Sequence, residues 1–325
     1  MPDPRRTTTT LGGASRANGH EPTVPPGPGA PPTASEPAEL GSLLASLRAH
    51  VRALGSVVLG LSGGVDSALL ARVCHDELGP RALAVIARSP SLPERELAAA
   101  RALTARIGIA CREVDTDELA DPGYVGNTGD RCYFCKHELF THLERIAGDE
   151  GYGAIAYGEN ADDAGDHRPG RRAATEMHVR APLREAGLGK DDVRALARWL
   201  ALPVWDKPAF ACLASRIPVG REVTAERLGE VEQAEAALWD LGFDLRLRVR
   251  HHDEIARIEV PPEQIAEVAA RADEVVPAVE AAGFRHVTLD LGGYRRGGGI
   301  ERATTGATRG ATTGATTHLP IVEAR

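Results

Sequence analysis

The fold of this chain is decided by residues 56–67, which read SVVLGLSGGVDS. Ser56 to Leu61 is a short apolar run with adjacent valines, which predicts a buried strand. Ser67 to Leu78 has the apolar spacing of a helix, so the two glycines lie in the turn between strand and helix. Such a turn directs several backbone N–H groups at one anion, and the helix start adds partial positive charge. The stretch therefore predicts a phosphate-binding loop.

The chemistry of this loop is predicted from its side chains. Ser62 and Ser67 can donate hydroxyl hydrogen bonds to phosphate oxygens. Asp66 can either cap the loop or help to place Mg²⁺. No lysine is present, so the loop differs from the G-x-x-x-x-G-K-S/T pattern. The candidate ATP-binding residues here are Ser62, Gly63, Gly64, Val65, Asp66 and Ser67.

Outward from the loop, apolar runs alternate with segments of helical spacing. This alternation predicts an α/β fold, a doubly wound parallel sheet with helices on both faces. The further strands are predicted at Ala82–Ala87, Arg112–Asp115 and Ala154–Tyr157, and the helices at Leu40–Leu54, Pro93–Ile107 and Leu139–Ile146.

The pattern changes after Gly220, where a smaller α+β domain is expected. Its predicted elements are a helix at Ala225–Leu241, strands at Leu245–Arg250, Ile255–Val260 and His286–Leu291, and helical residues between Pro262 and Ala282. Of the first 36 residues, 21 are Pro, Gly, Ser or Thr, and Ala303–Thr317 is almost entirely Ala, Thr and Gly. The predicted division is therefore a disordered extension (1–36), a domain that carries the phosphate loop (37–210), a smaller α+β domain (211–301) and a low-complexity tail (302–325).

The bulk composition argues against several classes of protein. The 325 residues carry a net charge of -8, whereas sequence-independent nucleic-acid binding needs a basic surface. No apolar run is long enough to span a membrane, and no apolar segment follows Arg5 and Arg6 as in a secretory signal. Five cysteines, an odd number, are typical of a reducing cytoplasm. We expect a cytoplasmic enzyme.

A second loop follows the strand predicted at Ala154–Tyr157 and reads GENADD at residues 158–163. Ligands bind at the carboxyl ends of parallel strands, so Asn160 and Asp162 are candidate ATP-binding residues. Asp162 can act through Mg²⁺ or by hydrogen bonding. The alternative is a solvated acidic loop, and the residues alone favour neither reading.

The cysteines suggest further chemistry. Cys132 and Cys135 form a C-x-x-C pair, which occurs in redox pairs, in half of a zinc site, or by chance. Cys212 stands alone in ACLASRIP at 211–218. Basic neighbours of all three are expected to favour the reactive thiolate form. Cys74 and Cys111 are expected to be buried structural cysteines.

Three thiolates near an ATP site allow two routes to sulfur transfer. Cys132, Cys135 and Cys212 can hold a 4Fe–4S cluster with one open iron that carries an extra sulfide. Alternatively, Cys212 attacks an acyl-adenylate and loses its own sulfur by β-elimination. The C-x-x-C pair favours the cluster. Zinc would need a fourth ligand, for which His137 and His251 are guesses.

Six segments in one order resemble the LarE family of PP-loop sulfur transferases. They are SGGVDS, RCYFCK, GENADDAGDHRPG, APLREAGLGK, PVWDKPAFACLASRIPVG and LRVRHHDEIARIEV, and the resemblance spans about residues 39–301. It implies a PP-loop ATPase fold of the HUP-like type and a hexamer. It also implies that the carboxylates of pyridinium-3,5-biscarboxylic acid mononucleotide become thiocarboxylates, for the nickel-pincer cofactor of lactate racemase.

The resemblance also assigns roles to residues. Cys212 matches the sulfur-donating cysteine, and Cys132 with Cys135 matches the extra pair of members that look cluster-dependent. The implied substrate-binding residues are Ser215, Arg216, Arg248, Arg250 and Glu259. Alternation along the predicted strand puts Arg246 on the same face as Arg248 and Arg250. The closing segment departs from the family at residues 298–300, which leaves C-terminal docking open.

Three other functions remain open. A tRNA-thiolating enzyme of the same superfamily can combine this loop with three cysteines, but the net acidity disfavours nucleic acid. An ATP-dependent amidating ligase, similar to NAD synthetase, has no need of the C-x-x-C pair or Cys212. A nucleotide-binding module without catalysis would release no pyrophosphate.

Overall fold

A computed structural model describes residues 36–165, 169–208, 211–244 and 246–294. The predicted low-complexity tail and all of the predicted N-terminal extension except Glu36 lie outside these ranges. Within them, no helix combines the length and apolar character needed to cross a bilayer.

The first sheet has four parallel strands in the order β3-β2-β1-β4. The strands are β1 (Val57–Gly60), β2 (Ala82–Arg88), β3 (Ala110–Asp115) and β4 (Ala154–Tyr157). In the register, Val57 lies opposite both Ala82 and Ala154. Since β1 pairs on both sides, the loop after it lies at the middle of the carboxyl edge of the sheet.

Eleven α-helices occur in the described part of the chain. They are α1 (Glu36–Ala53), α2 (Val65–Leu78), α3 (Glu94–Ile107), α4 (Pro122–Val125), α5 (Arg131–Glu150), α6 (Pro169–Glu176), α7 (Pro182–Glu185), α8 (Lys190–Trp199), α9 (Ala225–Asp240), α10 (Ile265–Ala270) and α11 (Ala272–Glu280).

Both faces of the first sheet are covered. Val57 and Leu59 pack with buried residues of α1, α2, α3 and α8, whereas Val58 packs with buried residues of α5 and α6. Successive strand residues point to opposite faces, so a sheet buried on both sides needs the unbroken apolar run that the sequence supplies. The predicted doubly wound α/β fold is confirmed.

The second sheet is a separate mixed sheet of three strands, β5 (Arg248–His252), β6 (Ile255–Glu259) and β7 (His286–Leu289). β5 and β6 are antiparallel, and β6 and β7 are parallel. Its core, which includes α9 and α11, also contains Tyr124 from α4. The predicted smaller α+β unit is confirmed.

Several local predictions were wrong. Helix α5 begins at Arg131, eight residues before the helix predicted at Leu139, and so carries Cys132 and Cys135. Strand β5 begins at Arg248, and Arg246 lies outside it because its guanidinium pairs with Asp244 and Glu263. Cys111 is exposed, since β3 is an edge strand. Cys74 is buried as predicted, and burial raises its pKa to about 12.

Candidate ATP and thiol site

The phosphate loop has the turn that its glycines predict. Gly63 adopts a φ of 73°, in the left-handed region that favours glycine. The Ser67 hydroxyl accepts a hydrogen bond from Ser62 N at 3.2 Å and donates one to Gly64 O at 3.1 Å. Gly64 caps α2 without any side-chain bond. The loop is therefore folded by its own serines, and the start of α2 is available to an anion.

The second loop packs directly against the first. A Cβ added at Gly158 would lie only 2.7 Å from Ser67 N, so only glycine allows this approach. The Asn160 amide donates a 2.8 Å hydrogen bond to Asp66 Oδ1, which links the two loops. Asp162 is exposed and accepts a hydrogen bond from Lys190 N at 2.7 Å. Asn160 thus joins the phosphate loop, while Asp162 supports the start of α8.

Two carboxylates meet behind the loop. Burial raises the pKa of Asp66. The hydrogen bond from Asn160 lowers this pKa, and the charge of the Asp163 carboxylate raises it. The ammonium of Lys190 lies 3.2 Å from Asp163 Oδ1. Crowded carboxylate oxygens are the ligand type that Mg²⁺ prefers, so this pair fits the metal of Mg·ATP. Asp163 and Lys190 were not among the predicted site residues.

A charged cluster at the carboxyl end of β4 was also missed. Glu159 is buried, with Arg184 Nη1 at 2.9 Å and Arg171 Nε at 3.9 Å from its carboxylate oxygens. A buried carboxylate needs such countercharges, and here they arrive from α6 and α7.

Lys207 supplies the phosphate loop with the lysine that its own sequence lacks. Lys207 Nζ donates to Gly63 O at 3.2 Å and to Glu96 Oε2 at 2.6 Å. Its ammonium is therefore placed on the loop from a position 144 residues further along the chain. The lysine stands in PVWDKPAFACLASRIPVG, the segment that also carries Cys212, Ser215 and Arg216, and it was not among the predicted site residues.

Cys135 and Cys212 share one environment. Both pack against the core of the second sheet. Burial raises the pKa of Tyr124, and the charges of Cys212 and Cys135 raise it further. The Cys135 thiol donates a 3.5 Å hydrogen bond to buried Glu118. Burial raises the pKa of Cys135, and the negative charges of Glu118 and Cys212 raise it further. Burial and the Glu118 carboxylate thus oppose the thiolate predicted at Cys135, whereas the neighbouring Lys136 favours it.

The three proposed cluster ligands differ in their exposure. Cys132 is exposed, whereas Cys135 and Cys212 are partly buried. Within the described ranges, no three His, Cys, Asp or Glu side chains are grouped so that they could hold one metal ion. The binding of one cluster by Cys132, Cys135 and Cys212 therefore stays a prediction, and donation of sulfur by Cys212 itself stays open beside it.

The Cys212 segment is anchored to the carboxyl edge of the first sheet. Leu213 N donates to Ser91 O at 2.9 Å, in the loop that follows β2. Asn127, at a φ of 48° and almost fully buried, donates to Pro218 O and Arg221 O and accepts a bond from Arg131. These bonds attach the residue after Cys212 to the loop that follows β2, the strand that pairs with β1, and tie residues 218 and 221 to the start of α5.

Arg216 lies at the centre of this anchor. Its side chain is fully buried, and its guanidinium forms two hydrogen bonds with Glu235, at 2.9 and 3.0 Å. It also donates to the carbonyl oxygens of Ala211 and Cys212. Burial lowers the pKa of Arg248, and the nearby Arg216 lowers it further while Glu235 opposes them. Arg216 therefore fixes the backbone at Cys212, and its predicted contact with substrate stays a prediction.

The remaining predicted substrate residues form a second linked group. Arg250 donates to Glu259 Oε2 at 3.0 Å and to Ser215 O at 2.8 Å. Glu259 also accepts a bond from Arg257 at 2.8 Å. The structure thus brings Ser215, Arg250 and Glu259 together next to the Cys212 segment, although it tests none of them as substrate ligands.

Comparisons with known proteins bear on this site. The NAD synthase family matches residues 40–122, which contain the phosphate loop. An uncharacterized protein of Synechocystis sp. is 45% identical over 260 residues, which are 79% of this chain and 97% of that protein. The pyridinium-3,5-bisthiocarboxylic acid mononucleotide synthase of Lactiplantibacillus plantarum is 38% identical over 261 residues, which are 80% of this chain and 94% of that enzyme.

These matches agree with the motifs and with the geometry. The NAD synthase match covers the segment that carries β1, β2, β3 and the phosphate loop, as expected for a PP-loop protein. The match to the mononucleotide synthase extends over both sheets and includes the Cys212 segment. That enzyme is named for the bisthiocarboxylic product that the six motifs imply. This chain belongs to the LarE family of PP-loop sulfur transferases.

Proposed function

We propose that this enzyme uses ATP to convert the carboxylates of pyridinium-3,5-biscarboxylic acid mononucleotide into thiocarboxylates, with Cys212 as the sulfur-bearing residue. The observation that carries the proposal is the bond that attaches the residue after Cys212 to the loop following β2, the neighbour in the sheet of the strand that leads into the phosphate loop. The Lactiplantibacillus plantarum enzyme, which is 38% identical to this chain over 261 residues, is named for this product. The product serves the nickel-pincer cofactor of lactate racemase.

The first step is adenylation. The β and γ phosphates of Mg·ATP bind at Ser62–Ser67, and a substrate carboxylate oxygen attacks the α phosphorus. The bond from that phosphorus to the bridging oxygen breaks, and its electron pair leaves with pyrophosphate. Backbone N–H groups and the start of α2 stabilise the negative charge that develops there. Asp66 and Asp163 are the carboxylates available to the magnesium ion.

The second step transfers sulfur. AMP is a far better leaving group than a carboxylate oxygen, so a thiol can displace it from the acyl carbon. The Cys212 sulfur forms the new bond to carbon, and the acyl–oxygen bond breaks as AMP departs. Loss of a proton from the cysteine α-carbon then cleaves the Cβ–S bond and releases the thiocarboxylate, with dehydroalanine at 212. Acyl-adenylates hydrolyse, so this step needs a site that excludes water.

The alternative source of sulfur is a sulfide held by a 4Fe–4S cluster on Cys132, Cys135 and Cys212. It would require the exposed Cys132 to turn toward the other two thiols. Anaerobic purification with iron and sulfide analysis, together with mass spectrometry of residue 212, distinguishes the two sources. A content of about four irons per chain, together with an intact Cys212 after turnover, would support the cluster. Dehydroalanine in proportion to product supports donation by Cys212.

The resemblance also suggests the setting of this reaction. We propose a homo-oligomer, a hexamer in the LarE pattern, that acts in the cytoplasm. The odd number of free cysteines supports a reducing compartment, where thiols remain available for chemistry. Size-exclusion chromatography with light scattering measures the number of chains.

Replacing Cys212 tests the proposal directly. Cys212→Ala should abolish thiocarboxylate formation while ATP still binds and pyrophosphate is still released, because adenylation needs no thiol. Cys111→Ala is the matched control, since Cys111 is an exposed cysteine of the edge strand β3 and should retain full activity. Thiocarboxylate that still forms at the normal rate with Cys212→Ala would contradict the proposal.

A further inference from the structure

The distribution of lysine in this chain is uneven. Of its 38 basic Lys and Arg residues, only three are lysine, at positions 136, 190 and 207. The structure places all three near the carboxyl edge of the first sheet. Lys136 lies over the ring of Tyr157, Lys190 pairs with Asp163, and Lys207 contacts Gly63. The chain thus uses arginine elsewhere and has a compact, rotatable ammonium only here.

Of the three, Lys207 is the one whose ammonium touches the phosphate loop itself. Lysine carries three N–H donors, and the described partners of Lys207 are two oxygens, those of Gly63 and Glu96. The side chain is about a fifth exposed, so its third donor can reach a ligand at the loop.

The backbone of Lys207 is held in place for this contact. Arg194 of α8 donates to Trp205 O at 3.0 Å and to Lys207 O at 2.9 Å. Beyond Lys207, the same segment is fixed again where Leu213 bonds to Ser91. A flexible lysine on a free loop would lose much conformational entropy on binding an anion, and these bonds reduce that cost.

We propose that Lys207 is a ligand of the β and γ phosphates of ATP, and of the pyrophosphate that leaves. The proposal rests on the proposed function, and it names a residue for the phosphate loop that the loop motif does not contain. The Lys207 ammonium donates a hydrogen bond to a phosphate oxygen as the bond to the α phosphorus breaks, which stabilises the leaving pyrophosphate. Glu96 holds the ammonium at the loop before ATP arrives.

The test is to replace Lys207 and measure pyrophosphate binding by calorimetry, together with KM for ATP and kcat. Lys207→Met should raise the Kd for pyrophosphate and the KM for ATP by about tenfold or more, as expected for loss of a charge-assisted hydrogen bond. Arg106→Met, which removes a positive charge from the exposed face of the last turn of α3, is the control and should change neither value.

Glu96→Gln separates a phosphate ligand from a structural ion pair. Like Lys207→Met, it removes the ion pair between Glu96 and Lys207. The ammonium of Lys207 remains and can still donate to Gly63 O, so pyrophosphate affinity should be retained or increased. An equal loss of affinity in the two variants would mean a structural role and overturn the proposal. So would an unchanged Kd with Lys207→Met. If circular dichroism shows that Lys207→Met does not fold, the result with Glu96→Gln decides.

The two proposals can fail separately. Pyrophosphate binding is measured without substrate, so it reports on Lys207 whatever the enzyme acts on. If the wild-type enzyme releases no pyrophosphate with the dicarboxylate mononucleotide, the proposed function is wrong, and the calorimetry still decides the role of Lys207.

Discussion

The two sheets of this protein differ in where their charged groups lie. Strand β1 is apolar and fully buried, and the buried charges of the first unit, Glu118, Glu159 and Asp163, lie in the segments that follow its strands. In the second unit the charges lie within the elements themselves, with Arg248 and Glu259 buried on strands and Glu235 fully buried on α9. The first unit holds its charged loops on an apolar sheet, whereas the second unit contains buried charged side chains within its strands and helix.

Because of this difference, the stability of the two units should respond differently to single substitutions. A loop on an apolar sheet can change its ligand contacts without exposing the core. A buried ion pair costs desolvation energy, and removing one partner leaves the other as an uncompensated charge. The second unit should therefore be the more sensitive to single charge changes, and the first to changes of shape. Three experiments test this contrast, from the largest expected effect to the smallest.

The largest effect is expected at Glu235. Glu235→Gln keeps the side-chain shape but leaves the buried guanidinium of Arg216 without its countercharge. The free energy of unfolding should fall by about 3–5 kcal/mol, the usual result when one partner of a buried pair is removed. Urea denaturation followed by circular dichroism measures it.

The control for Glu235 belongs to the first unit. Asp76→Asn removes the exposed partner of Arg72 on α2, and the unfolding midpoint should hardly move, because exposed pairs contribute little. Equal destabilisation by the two changes would remove the proposed contrast between the units.

The next effect is expected at Gly158, where the first unit depends on shape. Gly158→Ala places a Cβ against Ser67 N and the Asp66 carbonyl carbon, at 2.7 and 2.9 Å, and both contacts are backbone. The two loops must separate, which should cost about 1–3 kcal/mol of stability and most of the ATP affinity. Thermal denaturation and ATP calorimetry measure these losses.

Gly148→Ala is the matched change for Gly158. Gly148 lies within α5, and a Cβ there meets no atom within 4 Å. Alanine favours the helix, so stability should rise by up to about 1 kcal/mol with ATP affinity unchanged. ATP affinity that survives Gly158→Ala would show that the loops need no close approach.

The smallest effect is a pH dependence in the second sheet. Burial lowers the pKa of His252 from its ordinary value of 6.5, and the charge of Arg257 lowers it further. The unfolded chain therefore binds the proton first as pH falls. The neutral ring stabilises the fold fully above about pH 6.5, and this contribution is lost as pH drops toward the lower pKa of the folded state.

His252→Gln should flatten the decline of the melting temperature between about pH 7 and pH 5. His286→Gln, an exposed histidine on β7 of the same sheet, is the control and should keep the wild-type slope. Identical slopes in wild type and His252→Gln would show that His252 does not contribute to acid sensitivity.

The predictions from sequence succeeded where local pattern decides structure. The run at 56–61 and the helix after it became β1 and α2, because burial on both faces demands an unbroken apolar strand. Helix α5 was predicted too short, since its first turns carry polar and cysteine residues without a clear apolar face. Arg246 was wrongly placed on a strand because alternation ignores the ion pairs that end the strand early.

The sequence alone determined the phosphate loop, the doubly wound sheet and the family, because each depends on residues that are contiguous or regularly spaced. Only the tertiary structure decided that Lys207 lies on Gly63 and that the Cys135 thiol donates to Glu118. It also decided that Arg216, which is paired with Glu235, donates to the carbonyl oxygen of Cys212. These contacts join segments far apart in the chain. No local spacing encodes them, since they form only when helices and sheets pack and buried charges find their partners.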